Sequence, residues 1–258
     1  RAVQIDGILA EARAALATSM FFYDWDLEGA AAQYQLATSR NSQYAQAHHH
    51  YGRLLLVQGQ PTLAWDQLLR ALEQDSASFV IRGALGRHLY FTEDYVGAIS
   101  EYDLSLQSQA VFLPALLGLG LTHVMVSDYV QASDDYTLAQ TSFGRLTPVI
   151  AALKGHLSAV QGDEEGARDM LDALNQMADS VFVPPVYRAI IHVALNQDDD
   201  AIRCLQKAFQ NGSSAMPFLH LEPIFEPLGG REDFRNLIRQ VRQGRSASQG
   251  ASPDAVCP

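Results

Sequence analysis

The sequence predicts an all-α protein, a right-handed α-solenoid of about six helix pairs closed by a C-terminal capping helix. Two series of small residues and the helical spacing of the apolar residues support this fold class. In the first series, alanine recurs in steps of 34 residues, with one step of 35. Its members are Ala30, Ala64, Ala98, Ala132, Ala167 and Ala201. A fixed period of this length indicates stacked units, each too small to bury its apolar face alone.

The second series lies twelve residues before the first, in the same register. Its members are Thr18, Gly52, Gly86, Gly120, Gly155 and Ala189. A large residue follows each alanine of the first series after four positions. These large residues are Tyr34, Leu68, Tyr102, Tyr136, Leu171 and Leu205. Small residues let two antiparallel helices approach closely, and the large residue fills the space between neighbouring units.

Within one unit, the apolar residues predict two helices with a break between them. They recur at three-to-four spacing from Leu54 to Leu72, which is the spacing of one helix face. Gly59 and Pro61 interrupt this run, because proline cannot continue a helix. We therefore predict repeats near residues 5–42, 43–76, 77–110, 111–145, 146–179 and 180–213. A single domain would span residues 1–245.

Residues 214–245 predict a capping segment that ends in an amphipathic helix. Its apolar stripe consists of Phe234, Leu237, Ile238 and Val241. A solenoid needs such a cap for solubility. Arginines at positions 231, 235, 239, 242 and 245 leave a second interpretation open, a basic strip that docks an acidic partner or lipid. Small and polar residues dominate positions 246–258, which predicts a disordered tail.

Composition narrows the possible functions. The 258 residues carry a net charge of −11, whereas a general nucleic-acid binder needs excess Lys and Arg. No apolar run is long enough to span a membrane. The two cysteines, Cys204 and Cys257, are far apart in the sequence and predict no disulfide framework, while their redox state stays open. Because the chain begins at Arg1 rather than Met, we expect a piece of a longer protein.

The period of 34 and the small–large–small spacing resemble the tetratricopeptide repeat (TPR). The motifs "YG" at 51–52 and "LG" at 85–86 and 119–120 belong to this resemblance, which covers roughly residues 5–213. The proline that the family places after each second helix is missing. The segments that carry a narrower similarity are FFYDWDLEGAAAQYQLA (21–37), YAQAHHHYGRLLLVQG (44–59), VFVPPVYRAIIHVAL (181–195) and LEPIFEPLGGREDFRNLIRQV (221–241). Together they look like the C-terminal TPR region of bacterial signalling proteins such as OmpR/CadC-like winged-helix transcriptional regulators.

This resemblance implies a non-catalytic interaction or sensory module, with an effector domain outside this chain. No catalytic or phosphate-binding motif competes with it, and no cofactor is expected. It implies a protein or peptide partner, allows a homodimer, and excludes direct contact with nucleic acid. The domain would be periplasmic if a membrane helix precedes it, and cytoplasmic otherwise.

Three consecutive histidines, His48, His49 and His50, raise the hypothesis of a metal site. Successive helix residues are separated by about 100°, so the three side chains fan around the helix. A shared ion would favour the i, i+4 spacing of HExxH. We therefore expect no metal site, with His48 packed, His49 in the groove and His50 facing a neighbouring helix. The run Asp198–Asp200 lacks the spacing of a calcium loop and predicts a solvated turn with an aspartate N-cap.

The resemblance also implies a concave surface, which the first helix of each repeat lines at repeat positions two, five, nine and twelve (the groove positions). In the second and third repeats these are Gln46, His49, Arg53, Leu56, Val80, Gly83, Arg87 and Tyr90. In the last three they are Pro114, Leu117, Leu121, Val124, Val149, Ala152, His156, Ala159, Val183, Val186, Ile190 and Val193. The N-terminal half therefore carries stacked arginines, and the C-terminal half is apolar.

We predict that His49, Arg53, Arg87 and Tyr90 bind the partner. Arginine can fork onto a carboxylate, and tyrosine offers a rigid anchor. An apolar segment with an acidic end would complement such a surface. Two alternatives stay open. The arginines could be solvated or paired within the fold, and the apolar half could be a receptor for a small molecule or peptide.

Overall fold

The computed structural model describes residues 2–244 and Cys257, and this part of the chain is helical without strands. The α-helices are α1 (Ala2–Ser19), α2 (Leu27–Arg40), α3 (Ala45–Val57), α4 (Pro61–Gln74), α5 (Phe79–Phe91), α6 (Tyr95–Ser108), α7 (Leu113–Met125), α8 (Tyr129–Ser142), α9 (Pro148–Val160), α10 (Glu164–Ala178), α11 (Pro185–Ala194), α12 (Asp198–Gln210) and α13 (Glu232–Arg242). The helices α1 to α12 form six antiparallel pairs, which confirms the all-α solenoid. The predicted tail lies outside the described residues, except for Cys257.

The chain divides into two compact units, each with three of the helix pairs. Unit 1 comprises residues 1–112 and 240–246, and unit 2 comprises residues 113–239 and 247–258. Within each unit, every helix packs closely against the other helix of its pair. The single domain of residues 1–245 stays a prediction. Of the described helices, none is long and apolar enough to cross a membrane.

The small residues permit close helix approach, as the period predicts. All six alanines of the first series are 0% exposed. A Cβ at Gly52 would lie 2.9 Å from the carbonyl oxygen of Ala64 and 3.0 Å from the Leu68 side chain. A Cβ at Gly120 would lie 2.3 Å from the Tyr136 ring. The glycines therefore make room for the partner helix and for the large residue on it.

The fifth repeat departs from this arrangement. A Cβ at Gly155 would meet Met170 at 2.8 Å, and Ile191 of the next repeat at 2.5 Å. Leu171, which the register predicts at this place, is only half-buried. The flexible Met170 fills the gap instead, as methionine commonly does in irregular cores.

The turn inside each helix pair repeats one backbone conformation. The residue before the N-cap of each second helix has a positive φ. These residues are Trp25, Gly59, Glu93, Ser127, Gly162 and Asn196. In four of the pairs the N-cap is an aspartate that accepts a backbone hydrogen bond three residues later. These aspartates are Asp26, Asp94, Asp128 and Asp163. Such caps satisfy amide groups that the helix start leaves without partners.

The predicted aspartate N-cap in the run Asp198–Asp200 is wrong. Gln197 is the N-cap of α12, and its side chain makes no capping hydrogen bond. The three aspartates form the first turn of α12, where the partial positive charge of the helix end favours carboxylates.

The predicted capping helix is confirmed as α13. Phe234, Leu237 and Val241 are each 4% exposed and Ile238 is half-buried, so most of the apolar stripe is buried. Two 3₁₀ helices, Met216–Phe218 and Pro223–Gly230, connect α12 to α13. The basic strip on α13 stays untested as a docking surface. Its arginines 235 and 239 pair with Glu232, and arginine 245 lies outside the described residues.

A disulfide links Cys204 to Cys257, 53 residues later in the sequence. The prediction that the two cysteines form no disulfide framework is therefore wrong. Cys204 is fully buried on α12, and Cys257 is half-buried beside it. Separation along the chain did not decide their distance in space, because Cys257 lies beside α12.

Candidate functional site

Two of the predicted site residues come together with aromatic rings in unit 1. The guanidinium carbon of Arg53 lies 4.9 Å from the centroid of the Phe22 ring. That of Arg87 lies 4.9 Å from the centroid of the Phe91 ring. Cation–π contacts of this kind are worth about 0.5–2 kcal/mol each. Arg53 is half-buried and Arg87 is exposed, so both can be reached from solvent.

The two guanidinium groups repel each other. The pKa of Arg53 falls to about 10, mainly because of burial and also because of the positive charge of Arg87, while Tyr34 acts in the opposite direction. Arg53 still carries its charge at neutral pH. The fold therefore holds two positive charges close together in adjacent repeats, and a bound anion would relieve their repulsion.

The neighbouring histidines contribute shape rather than charge. The rings of His49 and His50 stack with centroids 4.6 Å apart. The pKa of His49 falls to about 3 and that of His50 to about 4, mainly because of burial. His50 and Arg53 also lower the pKa of His49, and Arg53 also lowers that of His50. Both rings are therefore neutral at pH 7. The positive charge of this surface comes from Arg53 and Arg87.

The remaining histidine of the run, His48, has a structural role. His48 is 3% exposed, with Nδ1 2.6 Å from the Gln67 side-chain oxygen and Nε2 3.0 Å from the Ser42 carbonyl oxygen. Within residues 2–244 and Cys257, no group of three His, Cys, Asp or Glu side chains is placed to hold a metal ion.

Tyr90 does not offer the exposed anchor that the sequence suggested. It is only 2% exposed, and its ring lies 5.5 Å from that of Phe91 and 6.1 Å from that of Tyr95. Its position in the repeat identifies a helix face but not the depth of the side chain. Tyr90 therefore supports Phe91, the ring on which Arg87 lies.

Phe22 is a site residue that the sequence reasoning missed. It lies 34 residues before Leu56, so it occupies groove position twelve of the first repeat. Here α1 continues into a π-helical turn, Met20–Asp24, which ends at Trp25 with a φ of 54°. π-helical turns of this kind often occur at functional sites. Counting the groove positions back into the first repeat would have found this ring.

The predicted apolar half of the groove is largely buried. Of its twelve predicted members, Leu117, Val149 and Ala159 are half-buried, and Pro114 is exposed. The other eight are between 0% and 9% exposed: Leu121, Val124, Ala152, His156, Val183, Val186, Ile190 and Val193. The 3₁₀ helix Pro223–Gly230 packs against α11, which carries the last of these residues. A ready-made small-molecule cavity on α11 is therefore not favoured, because the protein's own residues cover this helix.

A depression of about 470 Å³ lies in unit 1, away from the arginines. The turn Asp24–Glu28 lines one side, and Arg242, Gln243 and Gly244 line the other. None of the predicted site residues borders it. It brings the first repeat into contact with residues from the far end of the sequence.

We expect stability to fall in mild acid because of His156. Its Nδ1 is buried without a hydrogen-bond partner among the described residues, and burial lowers its pKa from 6.5 to about 4. The unfolded chain binds a proton more readily than the folded one below pH 6.5, so acid favours unfolding. This one residue should cost about 2 kcal/mol between pH 7 and pH 5.

Urea unfolding of His156→Leu at both pH values measures this effect. The variant should lose less stability between pH 7 and pH 5 than the parent. Residual pH dependence is expected from His49 and His50, whose pKa values burial also lowers. An identical loss in parent and variant would show that His156 does not carry the effect.

No protein-family model matches the chain, and no curated protein matches it. Solved structures do match. The chain is 16% identical to pilF of Pseudomonas aeruginosa, with 91% of this chain and 99% of that one covered and a TM-score of 0.59. It is 14% identical to a tetratricopeptide repeat protein from Parabacteroides merdae, with 94% and 96% covered and a TM-score of 0.55. A MamA protein matches at 16% identity, with 70% and 96% covered and a TM-score of 0.52. These likenesses establish the TPR fold.

Proposed function

We propose that this chain is a non-catalytic protein-interaction module, and that its arginine surface binds an acidic segment of a partner protein. The arginine surface consists of Phe22, His49, Arg53, Arg87 and Phe91. The observation that carries this proposal is the pair of arginines, each held over an aromatic ring, in adjacent repeats of unit 1. Tyr90 supports the surface from beneath.

Arginine suits this role better than lysine would. A planar guanidinium can form two parallel hydrogen bonds to one carboxylate. The rings of Phe22 and Phe91 restrict the two guanidinium groups before a ligand arrives, so less side-chain freedom is lost on binding. An extended segment could place an acidic side chain or its C-terminal carboxylate between Arg53 and Arg87. An apolar residue beside that carboxylate could then contact Phe22.

A peptide-display selection with this chain, followed by fluorescence anisotropy on the selected peptides, tests the proposal. We expect selected peptides to carry carboxylates and to bind more weakly as salt increases, because salt screens exposed charges. Arg53→Ala and Arg87→Ala should each weaken binding about tenfold, the loss of roughly 1.4 kcal/mol that a charged hydrogen bond supplies.

Arg82→Ala is the matched control. Arg82 lies on α5 outside the arginine surface, and its guanidinium pairs with Glu101 at 3.2 Å. This variant should bind the selected peptides like the parent. If the variants of Arg53 and Arg87 also bind like the parent, the arginine surface is not the binding site.

We further infer a role in a bacterial signalling protein, most simply a transcriptional regulator with its effector domain elsewhere. The motifs at 21–37, 44–59, 181–195 and 221–241 support this role. The sequence upstream of Arg1 in the source genome tests it, since a winged helix, kinase or cyclase there would agree and a metabolic enzyme would not. The Cys204–Cys257 disulfide supports an oxidising compartment such as the periplasm. Thiol labelling of the protein in intact cells tests this location.

A further inference from the structure

The 3₁₀ helix Pro223–Gly230 lies beside the sixth repeat of unit 2. In other repeats a first helix packs on the preceding second helix, as α3 does on α2 and α9 does on α8. At this end of the array α11 packs mainly on the first helix α9 instead. The helix Pro223–Gly230 in turn packs mainly against α11, the helix that carries groove positions.

Both partners bury apolar side chains. From the 3₁₀ helix, Ile224 is 5%, Phe225 is 3% and Leu228 is 0% exposed. On α11, the groove residues Val186 and Ile190 are 8% and 9% exposed. The helix that carries these groove residues is thus packed against a short segment of the same chain.

The backbone of this segment behaves like a docked peptide. Pro223 and Pro227 have no N–H group to donate. The segment makes a local hydrogen bond, from the Phe225 N–H to the Glu222 carbonyl oxygen at 3.0 Å. The side chains of Ile224, Phe225 and Leu228 therefore supply the affinity, and the prolines limit the conformations that an equivalent free peptide would lose on binding.

We propose that residues 222–228, Glu-Pro-Ile-Phe-Glu-Pro-Leu, are a built-in ligand of α11, and that a partner segment of the same chemistry replaces them. Such a partner is a short, proline-containing segment that carries an aromatic and two branched aliphatic anchors. This surface lies in unit 2 and shares no residue with the arginine surface, so either proposal can fail without the other.

Two tethers make the built-in ligand a strong competitor. Arg231, three residues after its end, pairs with Asp199 of α12 at 2.7 Å. The Cys204–Cys257 disulfide returns the chain to α12 as well. A tethered segment rebinds at a high effective concentration, so a partner in solution must bind tightly or meet a chain whose own segment has been weakened.

Fluorescence anisotropy with a labelled peptide of residues 219–230, LHLEPIFEPLGG, tests the replacement. We expect weak binding to the parent chain and at least tenfold tighter binding to the full-length variant Phe225→Ala/Leu228→Ala, whose own segment has lost two anchors. Adding Ile190→Glu to that variant should abolish the gain, and a scrambled peptide should bind neither protein. Equal binding to parent and double variant, or a gain that survives Ile190→Glu, overturns the proposal.

Hydrogen exchange on the parent chain keeps the proposal testable if the double variant does not fold. A replaceable ligand must open without unfolding α12. The amide of Phe225 should therefore exchange at least tenfold faster than that of Leu205 in the centre of α12. Exchange of both amides at one common rate would mean that the segment is an integral part of the core, and the proposal would be wrong.

Discussion

Reduction of the Cys204–Cys257 disulfide should lower the free energy of unfolding by about 4 kcal/mol, the value that loop-closure entropy gives for 53 residues. The cross-link restricts the unfolded chain, so its removal favours unfolding even where the folded contacts remain. For a chain of this length the melting temperature should fall by roughly 10 °C. Urea unfolding followed by circular dichroism, with and without a reductant, measures the change.

The variant Cys257→Ser separates the cross-link from side effects of the reductant. Cys257 is half-buried, whereas Cys204 is fully buried, so serine at position 257 leaves the packing of α12 intact. This variant should match the reduced parent, and the reductant should not change it further. If mass spectrometry shows free thiols while the parent keeps its full stability, the disulfide does not stabilise the fold.

Gly120→Val should destabilise unit 2 by about 3 kcal/mol, the upper range for overpacking a core. The first added carbon would lie 2.3 Å from the Tyr136 ring. That ring is 0% exposed. Valine adds two methyl groups to the same clash. Denaturant unfolding of parent and variant gives the difference.

Two further variants test whether the clash with Tyr136 is the cause. Gly229→Val is the matched control, because a Cβ at Gly229 would meet nothing within 4 Å. It should change stability little. The double variant Gly120→Ala/Tyr136→Leu recreates the Ala189–Leu205 pair that the sixth repeat uses naturally. It should be more stable than Gly120→Ala alone, and a failure of this rescue would point to another source of strain.

The periodic positions of the sequence predicted the fold well, because period and residue size together determine helix packing. Each alanine of the first series is fully buried, and Gly52 and Gly120 lie where a side chain would clash. The aspartate N-caps in the turns are equally regular, but they were not used to predict the fold. The aspartate caps at Asp26, Asp94 and Asp128 follow the same period of 34.

The candidate site could be predicted only in part. The register placed Arg53 and Arg87 on one face, and their mutual electrostatic effect agrees with that. The burial of individual side chains and the position of the C-terminal cysteine could not be predicted. Tyr90 is buried beneath the surface, and Cys257 forms a disulfide with Cys204, 53 residues earlier in the sequence. Both outcomes depend on contacts between distant segments, which no local pattern in one sequence encodes.

Unit 1 combines two stretches of sequence, residues 1–112 and 240–246, and this affects how it folds during synthesis. Residues 1–112 leave the ribosome before residues 113–239, but Gly244, which lies against the backbone of Trp25, follows only after residues 113–239 have emerged. The contact joins residues that are almost the whole chain apart, and contacts of such high sequence separation form slowly. We therefore expect the first repeat to be translated first and completed last, with its edge exposed to chaperones in the interval.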